Sequence, residues 1–362
     1  MQRLKAWLKL KTAPDIGFQT TLKLVQNLGE PSAWTKQQLH QAVKQSCISP
    51  EAADYLASKD DPPNWLQICK YMETCNIHYV TILDSDYPEL LRSTYSPPPV
   101  LYYKGNLTSA LQPWNLAVVG TRKPSDYGKN MTLAITEEIA KAGVCIVSGL
   151  AYGIDTCAHK AAVKAKGHTV AVLAHGLERI YPPQNYELAE QILENGAIVS
   201  EYEPGTKMER WNFPARNRII SGLSHAVLVM EGSLTSGALL TAKFALDYNR
   251  DLFALPGQVN LTNAQGPNHL IKNGAGLVTE AGDILRNFGF DLQAPEQADL
   301  FPELSVNEQT VFDLIKSEQR SMSFDELILR TGFTIGQMSI VLLNLELKNL
   351  LVKEGGNAYT LR

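Results

Sequence analysis

Short apolar runs alternate with amphipathic segments through the middle of the chain, from Asn115 to about Phe290. The apolar runs are hydrophobic at nearly every position, which is typical of strands covered on both faces of a parallel sheet. The segments between these runs space their apolar residues as an amphipathic helix does, as in DYGKNMTLAITEEIAKAG and IDTCAHKAAVKAKG. The candidate strands are NLAVVG, VCIVSG, TVAVLA, AIVSEY, HAVLVME and DLFALPG. This alternation predicts an α/β fold with a doubly wound, mainly parallel sheet.

The chain before this region follows a different pattern. Residues 1–80 lack strand alternation and space their apolar residues by three and four in DIGFQTTLKLVQNLG and TKQQLHQAVKQS, which predicts a small helical domain. Such a domain is similar to helical hairpin modules that bind the DNA backbone, although we favour a packing or interaction role for it. The next predicted domain comprises residues 81–290. Near its start, the proline cluster Pro97–Pro99 prevents helix formation, and the segment VLYYKG after it predicts a short strand.

The carboxyl end of the chain predicts a linker and a small third domain. Residues 291–304, DLQAPEQADLFPEL, are acidic and contain proline, which is typical of a linker. Residues 305–362 predict three helices and then two short strands joined by a turn at Gly355, Gly356 and Asn357, an order that fits a winged helix. The predicted recognition helix, residues 335–350, is mostly apolar, which favours packing or a protein partner over reading of a DNA duplex.

Composition and charge limit the classes of function. A chain of 362 residues predicts two or three domains, and we find no apolar run long enough to span a bilayer. The amino terminus lacks the features of a signal peptide, so we expect a cytoplasmic protein without a membrane partner. The net charge of −4 gives no general attraction to polyanions, so binding of nucleic acid requires a local basic patch. Histidine and cysteine spacing predicts no metal site.

The sheet predicts where a ligand binds. In open parallel sheets, ligands lie at the carboxyl ends of the strands, where the strand order reverses. A strand order that begins 3-2-1-4 places this crevice between the first strand, NLAVVG, and the fourth, AIVSEY. It brings Arg122, which follows Gly120 and Thr121 after the first strand, opposite the segment Phe213 to Arg218.

The loops around that predicted crevice carry groups that bind phosphate. The fifth strand runs into MEGSLTSGALLTA, where free backbone amides and a helix dipole near Thr235, Ser236 and Gly237 favour an anion. Motifs for nucleotide hydrolysis or dinucleotide binding are absent from the sequence. Arginines next to Phe213 combine phosphate ligands with a stacking surface, as unpaired nucleic acid requires. From the residues alone, this hypothesis and an ordinary protein surface are supported about equally.

Seven motifs occur in order along the chain: VVGTRKPSDYG, VSGLAYGIDTCAH, ERIYPPQN, NFPARNRIISGLS, GSLTSGALLTA, ALPGQV and GPNHLIKNGA. Together they resemble the DprA/Smf family of bacterial DNA-processing proteins, and the resemblance covers the whole chain. It implies an extended Rossmann-like domain between a helical amino-terminal domain and a winged helix, which is variable or absent among relatives and whose role stays open. It further implies a cytoplasmic protein, not an enzyme and without a cofactor, that dimerises through the Rossmann-like domain. Such a protein binds incoming single-stranded DNA during natural transformation, protects it and helps to load the RecA recombinase.

The resemblance also implies a set of contacts to single-stranded DNA. In this hypothesis, arginines neutralise phosphates, Phe213 stacks a base, and amides at a helix start hold a further phosphate. The segment after PGT departs from the prolines that relatives often carry, because it reads Lys207, Met208 and Glu209. The candidate residues are Gly120, Thr121, Arg122, Lys207, Phe213, Arg216, Asn217, Arg218, Thr235, Ser236 and Gly237.

Two other functions compete with this hypothesis. One is a nucleotide-processing enzyme of phosphoribohydrolase type, for which Glu231 is the nearest candidate carboxylate. Asp155 and His159 are spaced as an acid/base pair could be, but a structural contact at a helix start is favoured. The other is a transcription factor that uses the winged helix, which the few basic residues of 305–362 disfavour.

Overall fold

The computed structural model describes residues 1–291, 304–318, 320–348, 350–354 and 357–361. The chain divides into two compact units, Met1–Phe290 and Asp291–Arg362. The linker predicted at 291–304 lies outside the described residues except for its two ends, and so do Gly355 and Gly356 of the predicted turn. Division of the first unit near residue 80 stays a prediction.

The first unit consists of a nine-stranded sheet with helices on both faces and a group of helices at its amino end. Its helices are α1 (Gln2–Thr12), α2 (Phe18–Leu28), α3 (Lys36–Lys44), α4 (Pro50–Ala57), α5 (Trp65–Thr74), α6 (Glu89–Arg92), α7 (Leu107–Ala110), α8 (Asp126–Lys141), α9 (Ile154–Lys164), α10 (Tyr186–Asn195), α11 (Asn212–Gly222), α12 (Gly237–Asp247), α13 (Thr262–Lys272) and α14 (Ala281–Asn287). Its strands are β1 (His78–Thr81), β2 (Val100–Gly105), β3 (Asn115–Val119), β4 (Cys145–Ser148), β5 (Thr169–Val172), β6 (Ala197–Ser200), β7 (Ala226–Val229), β8 (Asp251–Ala254) and β9 (Gly276–Leu277).

The sheet has the strand order β1-β2-β6-β5-β4-β3-β7-β8-β9. The strands from β6 to β9 pair in parallel, whereas β2 pairs antiparallel with β1 and with β6. Strands β3 to β7 are buried at every position because both faces are covered. In β5, Val170 and Val172 pack in one core with residues of α11 and α12, while Ala171 packs in another with residues of α10. The predicted mainly parallel α/β sheet is confirmed.

The predicted strand order 3-2-1-4 is wrong. The fourth predicted strand is β6, which lies beside β5, and the strand beside β3 is β7, the fifth. Helices α8, α9 and α10 pack against one another in sequence, so three successive crossovers extend the sheet in one direction. The order reverses only after β6, when the chain returns as α11 and packs against α12. The crevice therefore lies between β3 and β7.

The amino-terminal helices form a core of their own, and Trp7, Leu10, Leu24 and Leu39 are among its buried residues. The predicted helical character of this region is confirmed, with one exception. Three of the four residues of strand β1 fall within residues 1–80, and the strand pairs with β2 at the edge of the sheet. Its four residues are too few to show a clear period in the sequence.

The second unit is a winged helix, as predicted. Its described elements are α15 (Val306–Glu318), β10 (Met322–Ser323), α16 (Phe324–Thr331), α17 (Ile335–Leu347), β11 (Leu351–Glu354) and β12 (Ala358–Leu361). Strand β12 pairs antiparallel with both β10 and β11. Helix α17 exposes the apolar side chains of Ile335, Ile340, Leu343 and Leu347. No single helix in the described part of the chain is long and apolar enough to cross a bilayer; α16 and α17 reach that hydropathy only as a pair bent by 114°.

Candidate nucleic-acid interface

A crevice of about 860 Å³ opens at the carboxyl ends of β3 and β7. The two strand ends are held together there, because the Thr121 amide donates to the Glu231 carbonyl at 2.7 Å. Gly120 is required by close packing, since a Cβ at this position would lie 2.8 Å from the Cβ of Ile154. Eight of the eleven predicted residues line the crevice: Gly120, Thr121, Arg122, Phe213, Arg216, Asn217, Ser236 and Gly237.

Arg122 and Phe213 face each other across the crevice. The Arg122 guanidinium lies 5.3 Å from the centre of the Phe213 ring, and Tyr181 packs edge-on to the same ring at 6.1 Å. Within residues 1–291, no carboxylate lies within the 4.0 Å ion-pairing distance of this guanidinium. The exposed Arg122 therefore presents, beside an aromatic ring, a positive charge that has no ion-pair partner within residues 1–291.

Arg216 differs from the sequence-based expectation that it neutralises a phosphate. It is only 4% exposed, and its guanidinium donates to the Gly149 carbonyl at 2.7 Å and to the Val172 carbonyl. Burial lowers the pKa of Arg216 to about 10, an effect that the charge of Asp155 opposes. A Cβ on Gly149 would collide with the guanidinium. Arg216 thus acts as a positioning residue that ties α11 to the loop after β4 and to the end of β5.

Three other predicted residues lie outside the crevice lining. Arg218 forms an ion pair with Glu201 and donates to the Ser96 carbonyl at 2.9 Å, so its charge is already compensated. Lys207 and Thr235 are exposed, and neither lines the crevice. Direct contacts of these three residues to DNA stay predictions that the geometry does not support.

The start of α12 offers a backbone donor to the crevice. The Ser236 hydroxyl accepts from the Ala238 amide at 3.2 Å and caps the helix. Asn217 fixes the position of this helix start relative to α11, because its side-chain amide donates to the Gly237 carbonyl at 3.2 Å. Within residues 1–291, we find no acceptor for the Gly237 amide. That amide and the helix dipole favour an anion.

The structure adds crevice residues that the sequence argument did not name. Lys123 and Arg210 line the crevice with Tyr181, and Trp211 is 70% exposed directly after Arg210. Lys123, Arg210 and Trp211 could have been found, because each lies within three residues of a predicted residue in the chain. Tyr181 could not, because it comes from the segment between β5 and α10.

The carboxylates near the crevice accept hydrogen bonds from neighbouring groups of the fold. Glu231 is 5% exposed and accepts from both the amide and the hydroxyl of Ser125, which caps α8. Asp155 accepts from the Gly149 amide at 3.1 Å. His159 is fully buried and contacts Thr169 instead of Asp155, with 2.8 Å between its Nδ1 and the Thr169 hydroxyl. Among the described residues, no group of three His, Cys, Asp or Glu side chains could hold a metal ion.

We expect acid to destabilise the protein partly through His159. Burial lowers the pKa of His159 to about 3, while the unfolded chain keeps a value near 6.5. Between these values the unfolded state binds a proton that the folded state does not, so stability falls as the pH decreases. Urea titrations from pH 7 to 5 should show wild type losing about 1 kcal/mol per pH unit more than His159→Gln. Parallel pH profiles for the two proteins would contradict the assignment.

Comparisons with known proteins agree with this fold. The family described as DNA recombination-mediator protein A matches residues 78–289, and the DprA winged helix domain matches residues 293–357. Protein Smf of Synechocystis sp. is 40% identical over 334 residues, which cover 83% of this chain and 84% of the relative. DNA processing protein DprA of Bacillus subtilis is 45% identical over 208 residues, which cover 58% of this chain and 70% of the relative.

Two solved structures are similar over most of their own length. DNA processing protein A (DprA) from Streptococcus pneumoniae has a TM-score of 0.69 and 33% identity, covering 80% of this chain and 99% of that one. DNA processing protein A from Helicobacter pylori, studied for its single-stranded DNA binding mode, has a TM-score of 0.53 and 32% identity, covering 58% of this chain and 95% of that one. The chain therefore belongs to the DNA recombination-mediator protein A family, the DprA/Smf proteins, and includes the family's winged helix domain.

Proposed function

We propose that this protein binds single-stranded DNA in the crevice, protects incoming DNA and helps to load the RecA recombinase during natural transformation. It acts in the cytoplasm as a homodimer formed through the sheet domain, and it is not an enzyme. The observation that carries the proposal is the Arg122 guanidinium, which forms no ion pair within residues 1–291, over the Phe213 ring in a crevice that Gly237 also lines. The single-stranded DNA binding described for the Helicobacter pylori relative supports the same ligand.

The crevice has the chemistry that an unpaired strand requires. Arg122, Lys123 and Arg210 supply positive charges for phosphates, although the whole chain is acidic. Phe213 lies in the crevice, where its ring can stack on a base, and the exposed Trp211 lies two residues before it in the chain. Such stacking contributes about 1–3 kcal/mol per base and tolerates any sequence. A duplex hides its base faces and cannot use this surface in the same way.

The alternative of a nucleotide-processing enzyme has less support from the geometry. That chemistry needs a carboxylate or another group that is free to move a proton. Glu231 has both of its oxygens engaged with Ser125, and Asp155 lies buried beside Arg216. The arrangement fits a binding site better than a catalytic one.

We expect the full chain to bind oligo-dT more tightly than a duplex of equal length at moderate salt. If three cations neutralise three phosphates, the plot of log affinity against log salt concentration should have a slope of about −2. Fluorescence anisotropy measures both quantities, and nuclease protection and RecA filament assays on the same DNA extend the test. Equal affinity for duplex, or release of free base from nucleoside monophosphates, would favour the alternative.

A further inference from the structure

A second concave surface lies on the amino-terminal helices and shares no residue with the crevice. We call it the lysine pocket and define it by Lys5, Lys9, Lys36, Lys59 and Trp34, which surround a volume of about 500 Å³. Helix α1 supplies Lys5 and Lys9, Lys36 begins α3, and Lys59 follows α4. Three separate segments of the chain thus bring ammonium groups to one concavity, whose lining contains no acidic residue.

Part of this positive charge is not compensated by ion pairs within the protein. Lys5 pairs with Asp61, but within residues 1–291 no carboxylate lies within 4.0 Å of the ammonium groups of Lys9, Lys36 or Lys59. Lys9 is 5% exposed, and its ammonium donates to the carbonyl and the hydroxyl of Ser58 at 2.7 and 3.0 Å. Burial, and then the charge of Lys5, lowers the pKa of Lys9, whereas the charges of Asp60 and Asp61 act in the opposite direction. A bound anion among the lysines would reduce the repulsion between them.

Two further features of the lysine pocket favour a phosphate-bearing ligand. Helix α3 starts at Lys36, so the positive end of its dipole adds to the lysine charges. Trp34 lines the same pocket, and its Nε1 donates to the Gly29 carbonyl at 3.1 Å, which fixes the orientation of the indole. A fixed aromatic ring beside ammonium groups matches a base joined to a phosphate, as in a nucleotide or a nucleic acid strand.

We propose that the lysine pocket is a second phosphate-binding site and that its ligand is the backbone of single-stranded DNA. The choice of DNA as the source of the phosphate rests on the proposed function, whereas the phosphate site itself does not. A strand that occupies the crevice and the lysine pocket together would bind more tightly than a strand held by either site alone.

The test compares two double variants of the full chain that lose the same charge. Lys36→Gln with Lys59→Gln removes two lysines of the pocket, whereas Lys23→Gln with Lys44→Gln removes two exposed lysines of the same helical region outside the pocket lining. For a long oligo-dT, we expect the pocket pair to weaken binding about tenfold at low salt and to reduce the magnitude of the salt slope by about 1.4, at about 0.7 per phosphate. The control pair should change neither quantity.

Binding of inorganic phosphate tests whether the lysine pocket binds phosphate at all, independently of whether the natural ligand is DNA. At matched ionic strength, phosphate should raise the Tm of wild type and of the control pair more than that of the pocket pair. An equal Tm increase in all three proteins, or an equal loss of oligo-dT affinity in the two pairs, would overturn the proposal. If phosphate stabilises through the pocket while oligo-dT affinity is the same in all three proteins, DNA is overturned as the source. Arg122→Ala tests the crevice independently, so failure of one site is distinguishable from failure of the other.

Discussion

Arg216→Ala is expected to lower the free energy of unfolding by about 3–5 kcal/mol, because it removes one partner from a buried polar arrangement. The guanidinium donates to the Gly149 and Val172 carbonyls, and its charge acts on the buried Asp155 carboxylate. Alanine would leave those carbonyls without this donor, and it would remove the cation that most strongly lowers the pKa of that carboxylate. Urea denaturation, followed by circular dichroism, measures the change.

Arg286→Ala provides the matched control for this loss. Arg286 forms ion pairs with Glu280 and Asp283 at the surface, so its removal should change the free energy of unfolding by no more than about 1 kcal/mol. The folded fraction of Arg216→Ala should lose less affinity for oligo-dT than Arg122→Ala does. If Arg216→Ala has normal stability but loses DNA affinity, the result would instead support the sequence-based prediction that Arg216 contacts a phosphate directly.

Arg122→Ala is expected to weaken oligo-dT binding about tenfold to a hundredfold with little loss of stability. A hydrogen bond to a charged group contributes about 1.5–3 kcal/mol, and each 1.4 kcal/mol changes affinity tenfold. The side chain is exposed and its main contact is the Phe213 ring, so the fold does not depend on it. Anisotropy titrations at several salt concentrations measure the loss and should show a shallower slope.

Lys243→Ala is the control for Arg122, because Lys243 is an exposed cation of α12 that does not line the crevice. It should leave oligo-dT affinity unchanged. Arg122→Lys should recover only part of the wild-type affinity, because it keeps the charge but loses the planar pair of donors that matches phosphate. If Arg122→Ala binds as tightly as Lys243→Ala, the crevice is not where the strand lies.

The sequence predicted the six strands from β3 to β8 because each is a nearly continuous apolar run between helical patterns. It did not predict their order. The order depends on which face of the sheet each connecting helix covers, and the periodicity of one segment carries no information on that choice. The prediction still placed Arg122 and Phe213 together, because the chain returns from β6 to the crevice through α11.

The roles of the predicted arginines show where sequence reasoning ends. Arg122, Arg216 and Arg218 are the same residue type in motifs of similar character, yet one is exposed, one is buried and one is ion-paired. Which of them turns outward depends on how α11 docks on the sheet, and not on the residues that surround each arginine in the chain. The lysine pocket was likewise not predictable, because its lysines come from three separate segments.

The antiparallel pairing of β2 with β6 has a consequence for biosynthesis. Gly105 of β2 pairs with Ala197 of β6, so about 90 further residues must leave the ribosome before β6 can pair with the free edge of β2. At about 5–20 residues per second, the nascent β1-β2 hairpin waits about 5–18 s with one strand edge open. An open strand edge can pair with another chain, so pausing of translation within this interval should increase aggregation of the newborn protein.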